Sequence, residues 1–318
     1  MAISGILVPL DGAAIAASVL PTVAAFARPM RAAVHLVAAV DLRKREIPSL
    51  YYGADEGDRP GHEETAPLAP RGTRADAQRR VERARSYLAA LAGRLQALGI
   101  ESSYEANIGD PMTDIVRLAR RKRFGMIALS PHSRYAIGRG LGSVTDKVLH
   151  SSHIPILIAP PLTDSSPRTS DLAIRTVIVG LDGSRAAEVA FGPARQISED
   201  CDAKVVLLRA VGGRGREEAW AAGAERVGRD IDADFETHVQ EYLQDASERI
   251  GVPCVTVIGN GDEVTEILTA SQDRPAAIIV MASQGQSGLT KWRLGSITDR
   301  VIRETTRPVV VVPPILAR

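Results

Sequence analysis

Residues 282–296 read ASQGQSGLTKWRLGS, which brings glycine, hydroxyl and cation together. Gly285 would let a ligand approach the backbone closely. Gly295 and Ser296 precede an amphipathic run, so they would open a helix. A helix start presents unpaired N–H groups and the positive end of the peptide dipole, a setting that favours phosphate. Ser296 adds a hydroxyl, and Lys291 and Arg293 add charge. A carboxylate ends another apolar run, in VIVGLDGS at 177–184. Asp182 would repel phosphate, but it could accept hydrogen bonds from a ribose or an adenine amine. A carboxylate at one strand end and an anion cradle at another suit a nucleotide. The competing reading is a plain helix cap. Ser296-Ile-Thr-Asp299 has capping-box spacing with Asp in the place of Glu or Gln, and Ser143-Val-Thr-Asp146 repeats it. A cap accounts for Gly295 and Ser296 but not for Gly285 or Asp182.

These groups meet only if a parallel sheet carries them to one edge, and the sequence predicts such a sheet twice. ILVPLDGA at 6–13 resembles VIVGLDGS at 177–184. IGDPMTDIVRLA at 108–119 resembles IGNGDEVTEILTA at 258–270, and LGSVTDKVLH at 141–150 resembles LGSITDRVIR at 294–303. The order is shared, so the chain reads as two tandem copies: residues 1–162, a Pro/Ser/Thr-rich linker at 163–173, and residues 174–318. Strands are expected near 4–10, 34–40, 102–108, 125–130 and 154–159, then near 174–181, 204–211, 252–258, 276–282 and 308–313. Val81, Ala84, Leu88, Leu91, Leu95 and Leu98 step by three or four along a helix, as do Phe235, Val239, Tyr242 and Ala246. The alternation implies an α/β fold of two doubly wound domains, each a five-stranded parallel sheet with helices on both faces. Ligands of such sheets sit beyond the carboxyl ends of the strands, where strand order reverses. Asp11 or Asp182, Ala39 or Ala210, and the loop after the fourth strand all reach that edge. Residues 43–74, rich in Pro, Gly and charge, are expected to form a long mobile loop over a site or against a partner.

This pattern resembles the universal stress protein family over nearly the whole chain. ATP-binding members carry G-x2-G-x9-G-[S/T] after the fourth strand. Copy two reads Ala282-Ser-Gln-Gly285, nine residues, then Gly295-Ser296, so the first glycine departs. Copy one reads Ser130-Pro-His-Ser133, eight residues, then Gly142-Ser143, without either leading glycine. The resemblance implies that Asp182 holds adenine or ribose and that Ala210 and Met281 line the base. It implies that Gly285, Gly295, Ser296 and Ile297 hold ribose and phosphates, with Ala282 at the departing position. The weaker second site it implies is Asp11, Ala39, Leu129, Ser130, His132, Ser133, Gly142, Ser143 and Val144. The ligand is expected to be ATP or AMP, with Mg²⁺ admissible. The expected function is stress-associated nucleotide binding that alters contacts with a protein partner, with at most slow hydrolysis. The alternative is a nucleotide-free scaffold with both sites degenerate. The resemblance also suggests that the apolar last strands, Ile154–Ala159 and Arg307–Val312, join the two copies as an intrachain pseudo-dimer. A homodimer of chains is compatible with it.

The net charge of +1 argues against a general nucleic-acid binder. The run Arg120-Arg121-Lys122-Arg123 sits where cations complement a helix end. Cys201 and Cys254 are isolated, which fits a reducing cytoplasm. MAISGILVPLDG reads as a first strand rather than a leader, and no apolar run approaches membrane length. Gly285-Gln-Ser287-Gly288 lacks the second glycine of a nucleophile elbow, and no Walker loop is present. His150-x-x-His153 at a helix end is read as a dipole partner rather than a metal pair, so no metal or catalytic residue is assigned.

Overall fold

The computed structural model describes residues 2–41, 74–131, 141–160, 173–212, 230–284 and 294–314. The expected loop up to residue 73, and with it Gly285, His132, Ser133, Lys291 and Arg293, lies outside the described residues. So do 161–172 of the linker region and the Ser287 elbow.

Copy one supplies strands β1 Gly5–Pro9, β2 Ala33–Val40, β3 Ser102–Ile108, β4 Met126–Leu129 and β5 Ile156–Ile158. Copy two supplies β6 Thr176–Gly180, β7 Lys204–Ala210, β8 Cys254–Gly259, β9 Ala277–Ala282 and β10 Val309–Val312. The central strands are built from Val, Ile, Leu and Ala because both faces of the sheet are covered. Ile6 and Val8 face one core and Leu7 the other, as a period of two requires.

The ten strands form one sheet in the order β3-β2-β1-β4-β5-β10-β9-β6-β7-β8. Within each copy every pair is parallel. The copies meet edge to edge, with β5 and β10 antiparallel and Leu157 opposite Val310. Both side chains are fully buried, so each copy hides the other's exposed edge. The expected pairing of last strands is therefore present within the chain.

Helices α2 Leu20–Met30, α3 Arg74–Ala97, α6 Phe191–Cys201 and α7 Asp230–Ile250 cover one face. The short α1 Ala14–Ala17 and a 3-10 turn at Ala187–Ala190 precede α2 and α6. Helices α4 Pro111–Arg121, α5 Ser143–Ser151, α8 Glu263–Gln272 and α9 Ser296–Glu304 cover the other face. The repeated Asp-x-x-Thr starts are real caps: Asp110 accepts from Thr113 N at 3.1 Å and Asp262 from Thr265 N at 3.2 Å. The apolar stripe of α3 is buried from Val81 to Leu95, but Leu98 is 45% exposed. The helix ends at Ala97 and the chain reverses at Gly99 (φ 76°), so the helical rhythm no longer carries Leu98 inward.

Candidate functional site

In copy two the strand order reverses at β6, which lies between β9 and β7. All three strands are parallel, so their carboxyl ends share one edge. That edge brings together Asp182 after β6, Ala210 at the end of β7, and Met281 and Ala282 at the end of β9. Asp182 is half-buried and its Oδ1 accepts from Ser184 N at 2.9 Å. Part of its role is thus to hold the Asp–Gly turn, in which Gly183 has φ 88°. Met281 and Ala282 are 6% and 9% exposed and form the floor beside it.

The start of α9 is tied to the same edge. Gly295 N donates to Ser283 O at 2.7 Å, and Thr298 Oγ1 donates to Ala282 O at 2.9 Å. Gly295 is the N-cap residue, Ser296 is the first helical residue, and no side chain of the described residues caps the helix. The capping-box reading is therefore overturned in copy two. Ser296 sits one position too late to cap, its side chain is exposed, and Asp299 Oδ2 instead takes Arg303 Nε at 2.8 Å. Ile297 packs against the core beneath the helix start.

Gly295 has an ordinary extended backbone, φ −63° and ψ 148°. A Cβ there would lie 3.4 Å from Ser283 O, an ordinary contact. Neither the backbone angle nor packing against the described residues demands glycine at this place. Gly142, its counterpart in copy one, has φ 91°, a region that side chains avoid. The same glycine therefore has a backbone reason in copy one and none in copy two.

Copy one differs in other ways. Asp11 repeats the Asp–Gly turn, accepting from Ala13 N at 3.0 Å, but is exposed. Leu129 ends β4, and Ser130 just after it places its hydroxyl 3.1 Å from Ser18 Oγ between α1 and α2. Ala39 is half-buried near the end of β2. Gly142 is the N-cap of α5, with Ser143 exposed and Val144 packed on the core; no side chain caps this helix either.

Sequence reasoning missed Arg209. It is a cation near the carboxyl end of β7, a strand that is apolar from Val205 to Leu208, at the position that Ala38 holds in β2 by register. Its guanidinium lies against the Asp–Gly turn, where a Cβ on Gly183 would fall 2.8 Å from Cζ. It also lies over the Tyr242 ring, 5.2 Å from the centroid. Burial lowers the Arg209 pKa, and the nearby Tyr242 and Asp182 charges oppose that shift. Burial, and then the Glu188 and Asp182 carboxylates, push the Tyr242 phenol up to about 12. Its buried hydroxyl has no hydrogen-bond partner among the described residues. Asp182 therefore sits in a mixed field of cation, ring and carboxylate. A cation next to the carboxyl end of KVVLLRA, after four apolar residues, was the available signal.

Comparison with known proteins agrees with this architecture. The sequence profile of the universal stress protein family matches residues 3–160 and again 173–313. The chain belongs to the universal stress protein family. It is 26% identical over 147 residues to universal stress protein YxiE of Bacillus subtilis, covering 43% of this chain and 97% of that protein. A universal stress protein of Mycolicibacterium smegmatis is 25% identical over 251 residues, covering 75% of this chain and 77% of the other. Among solved structures, a universal stress protein from Archaeoglobus fulgidus superposes with a TM-score of 0.66 at 20% identity, covering 98% and 99% of the two chains. At that identity the likeness speaks for the fold. The family therefore accounts for both copies of the doubly wound unit. Among the described residues no helix is long and apolar enough to cross a membrane.

His150 turns its Nδ1 to Asp146 O at 2.6 Å, within its own helix. No group of metal-ligating side chains occurs among the described residues.

Proposed function

We propose that this universal stress protein binds an adenine nucleotide in the crevice of copy two. Asp182 faces the base or ribose there, and Ala210, Met281 and Ala282 line the base. Gly295, Ser296 and Ile297 receive the phosphates at the uncapped start of α9. The observation that carries the reading is Gly295, a glycine whose backbone and surroundings accept a Cβ. The reading is that a glycine here leaves the backbone N–H groups of Ser296 and Ile297 within reach of a ligand. The bare helix start adds about 0.3–1 kcal/mol of attraction for an anion. ATP and AMP both fit this chemistry, and Mg²⁺ would accompany the longer phosphate chain. Binding, rather than turnover, is the proposed activity, and occupancy is proposed to alter contacts with a protein partner. Copy one serves as scaffold, since its glycine answers to backbone angle and Ser130 is engaged with Ser18.

The test is calorimetric titration of ATP and AMP into the whole chain and its Gly295→Ala variant. The variant should melt with the parent, because the new methyl meets only ordinary contacts. Its nucleotide affinity should fall about tenfold, the loss of roughly one charge-assisted hydrogen bond. Equal affinities would remove the argument from Gly295. Absence of any binding by the parent would remove the reading altogether.

A further inference from the structure

The two copies differ most sharply in charge on the outer side of α4 and its counterpart α8. Thr113 and Thr265 hold equivalent places after the caps Asp110 and Asp262. Counting on from them, Arg117, Arg120 and Arg121 correspond to Thr269, Gln272 and Asp273. The three arginines are exposed and spaced i, i+3 and i+4, so they share one stripe of α4. Arg117 pairs with Asp114 at 2.6 Å. Arg120 and Arg121 form no ion pair with a described residue.

Helix ending does not explain this cluster. The end of α4 is already closed by its backbone, with Phe124 N reaching Ala119 O at 3.1 Å and Lys122 N reaching Leu118 O at 3.0 Å. At the end of the equivalent helix α8 the cations are bound to the helix, Arg274 Nη1 donating to Ala270 O at 3.0 Å and Arg307 Nε to Ser271 O at 3.1 Å, whereas Arg120 and Arg121 make no such bond to α4 among the described residues. Like charges three and four residues apart weaken a helix by a few tenths of a kcal/mol per pair. The cluster therefore weakens α4 slightly without serving the carbonyls at its end.

The arginines line an open groove between α4 and the end of α5, with a volume of about 580 Å³. Met112 and Val116 give it an apolar floor, and Ser151 closes the α5 side. We propose that this groove docks an acidic, partly apolar peptide segment of a protein partner. Carboxylates would pair with the arginine forks, and an apolar side chain would cover Met112 and Val116. A nucleic acid fits less well. Among the described residues no aromatic side chain lines the groove for stacking, and the chain's net charge is only +1.

The experiment uses the whole chain and a fluorescein-labelled dodecapeptide of Glu-Glu-Leu repeats, read by fluorescence anisotropy. The variant R117T/R120Q/R121D installs the residues that copy two carries in the same fold. The parent should bind the peptide, the variant about tenfold or more weakly. Parent affinity should also fall between about 50 and 300 mM NaCl. The single change Arg120→Gln should weaken binding by a smaller factor and provides the readout should the triple variant fail to fold. A Lys-Lys-Leu peptide of equal length should not bind. Four results would overturn the proposal. They are no Glu-Glu-Leu binding below about 1 mM, unchanged affinity in a folded variant, equal binding of the lysine peptide, and tighter binding of a single-stranded DNA dodecamer.

Discussion

Acid should unload one specific cluster in copy one. His35 on β2 is 5% exposed. Its Nδ1 lies 2.7 Å from Ser103 Oγ on β3, and its Nε2 lies 3.3 Å from Lys122 Nζ just past α4. The Phe124 ring stacks on it, with centroids 5.6 Å apart. Lys122 also reaches Glu105 Oε2 at 3.0 Å. An ammonium can only donate, so Nε2 accepts and the imidazole proton sits on Nδ1, facing the serine. Burial lowers the His35 pKa first and the Lys122 charge second, with Glu105 opposing both. The folded protein therefore takes this proton less readily than the unfolded chain, whose histidine has the ordinary value of 6.5. The contribution to stability is complete above that value and is lost as pH falls towards the folded pKa. One proton sets a ceiling of about 1.4 kcal/mol per pH unit. The unfolded histidine is already half protonated at its own pKa, so the loss over the next unit is at most about 1 kcal/mol.

The perturbation is His35→Val, the residue that β7 carries at the equivalent register position, Val206. Near neutral pH the variant should lose about 1 kcal/mol, the net value of a buried hydrogen bond. Ser103 stays exposed to water and Lys122 keeps Glu105, so no buried group is stranded. Urea unfolding of parent and variant across about pH 8 to 5 gives the two stability curves. They should converge as the pH falls through the histidine range, the gap narrowing by up to about 1 kcal/mol. A gap that stays constant, or widens, would refute the assignment of a neutral buried imidazole. Lys122→Met should move the His35 titration upward in NMR, because it removes the neighbouring cation.

Thr298→Val should cost about 1–2 kcal/mol in urea unfolding, since it strips the buried hydroxyl that ties α9 to Ala282 O at 2.9 Å. A loss within error would mean that the bond does not anchor the helix start. Cys201, whose thiol is pushed up to about 12 by burial and then by Asp200, should resist a disulfide reagent at about pH 8 in the folded protein and react at once in urea. Fast labelling of native Cys201 would contradict its placement against the core.

Much of the fold was legible because its signals are local. Runs of Val, Ile and Leu at 6–10 or 309–312 can be read in any short window, as can the stripe from Val81 to Leu95. The repeated LDG and LGS segments tell the same story twice, which is why the order of elements and the shared carboxyl-end edge of the strands followed from sequence. Asp182 and Gly295 were expected at that edge because residues at strand ends and helix starts inherit their place from those elements, while Met281 was implied by the family resemblance.

What the sequence determined alone was therefore the pair of α/β units, their strand positions and the edge on which a site could form. Only the tertiary structure decided how identical letters differ in use. Gly142 and Gly295 read alike, yet one needs a positive φ and the other does not. Ser130 meets Ser18 across 112 residues of chain. Arg209 reaches the Asp182 turn only because β7 lies beside β6, and Tyr242 is carried over it by a helix that follows much later. The pairing of Leu157 with Val310 joins the last strand of one copy to the last strand of the other, about 150 residues apart in sequence. The physical reason is one of range. Periodicity and capping depend on neighbours in sequence, whereas backbone angle, charge environment and edge pairing depend on groups that folding alone brings together.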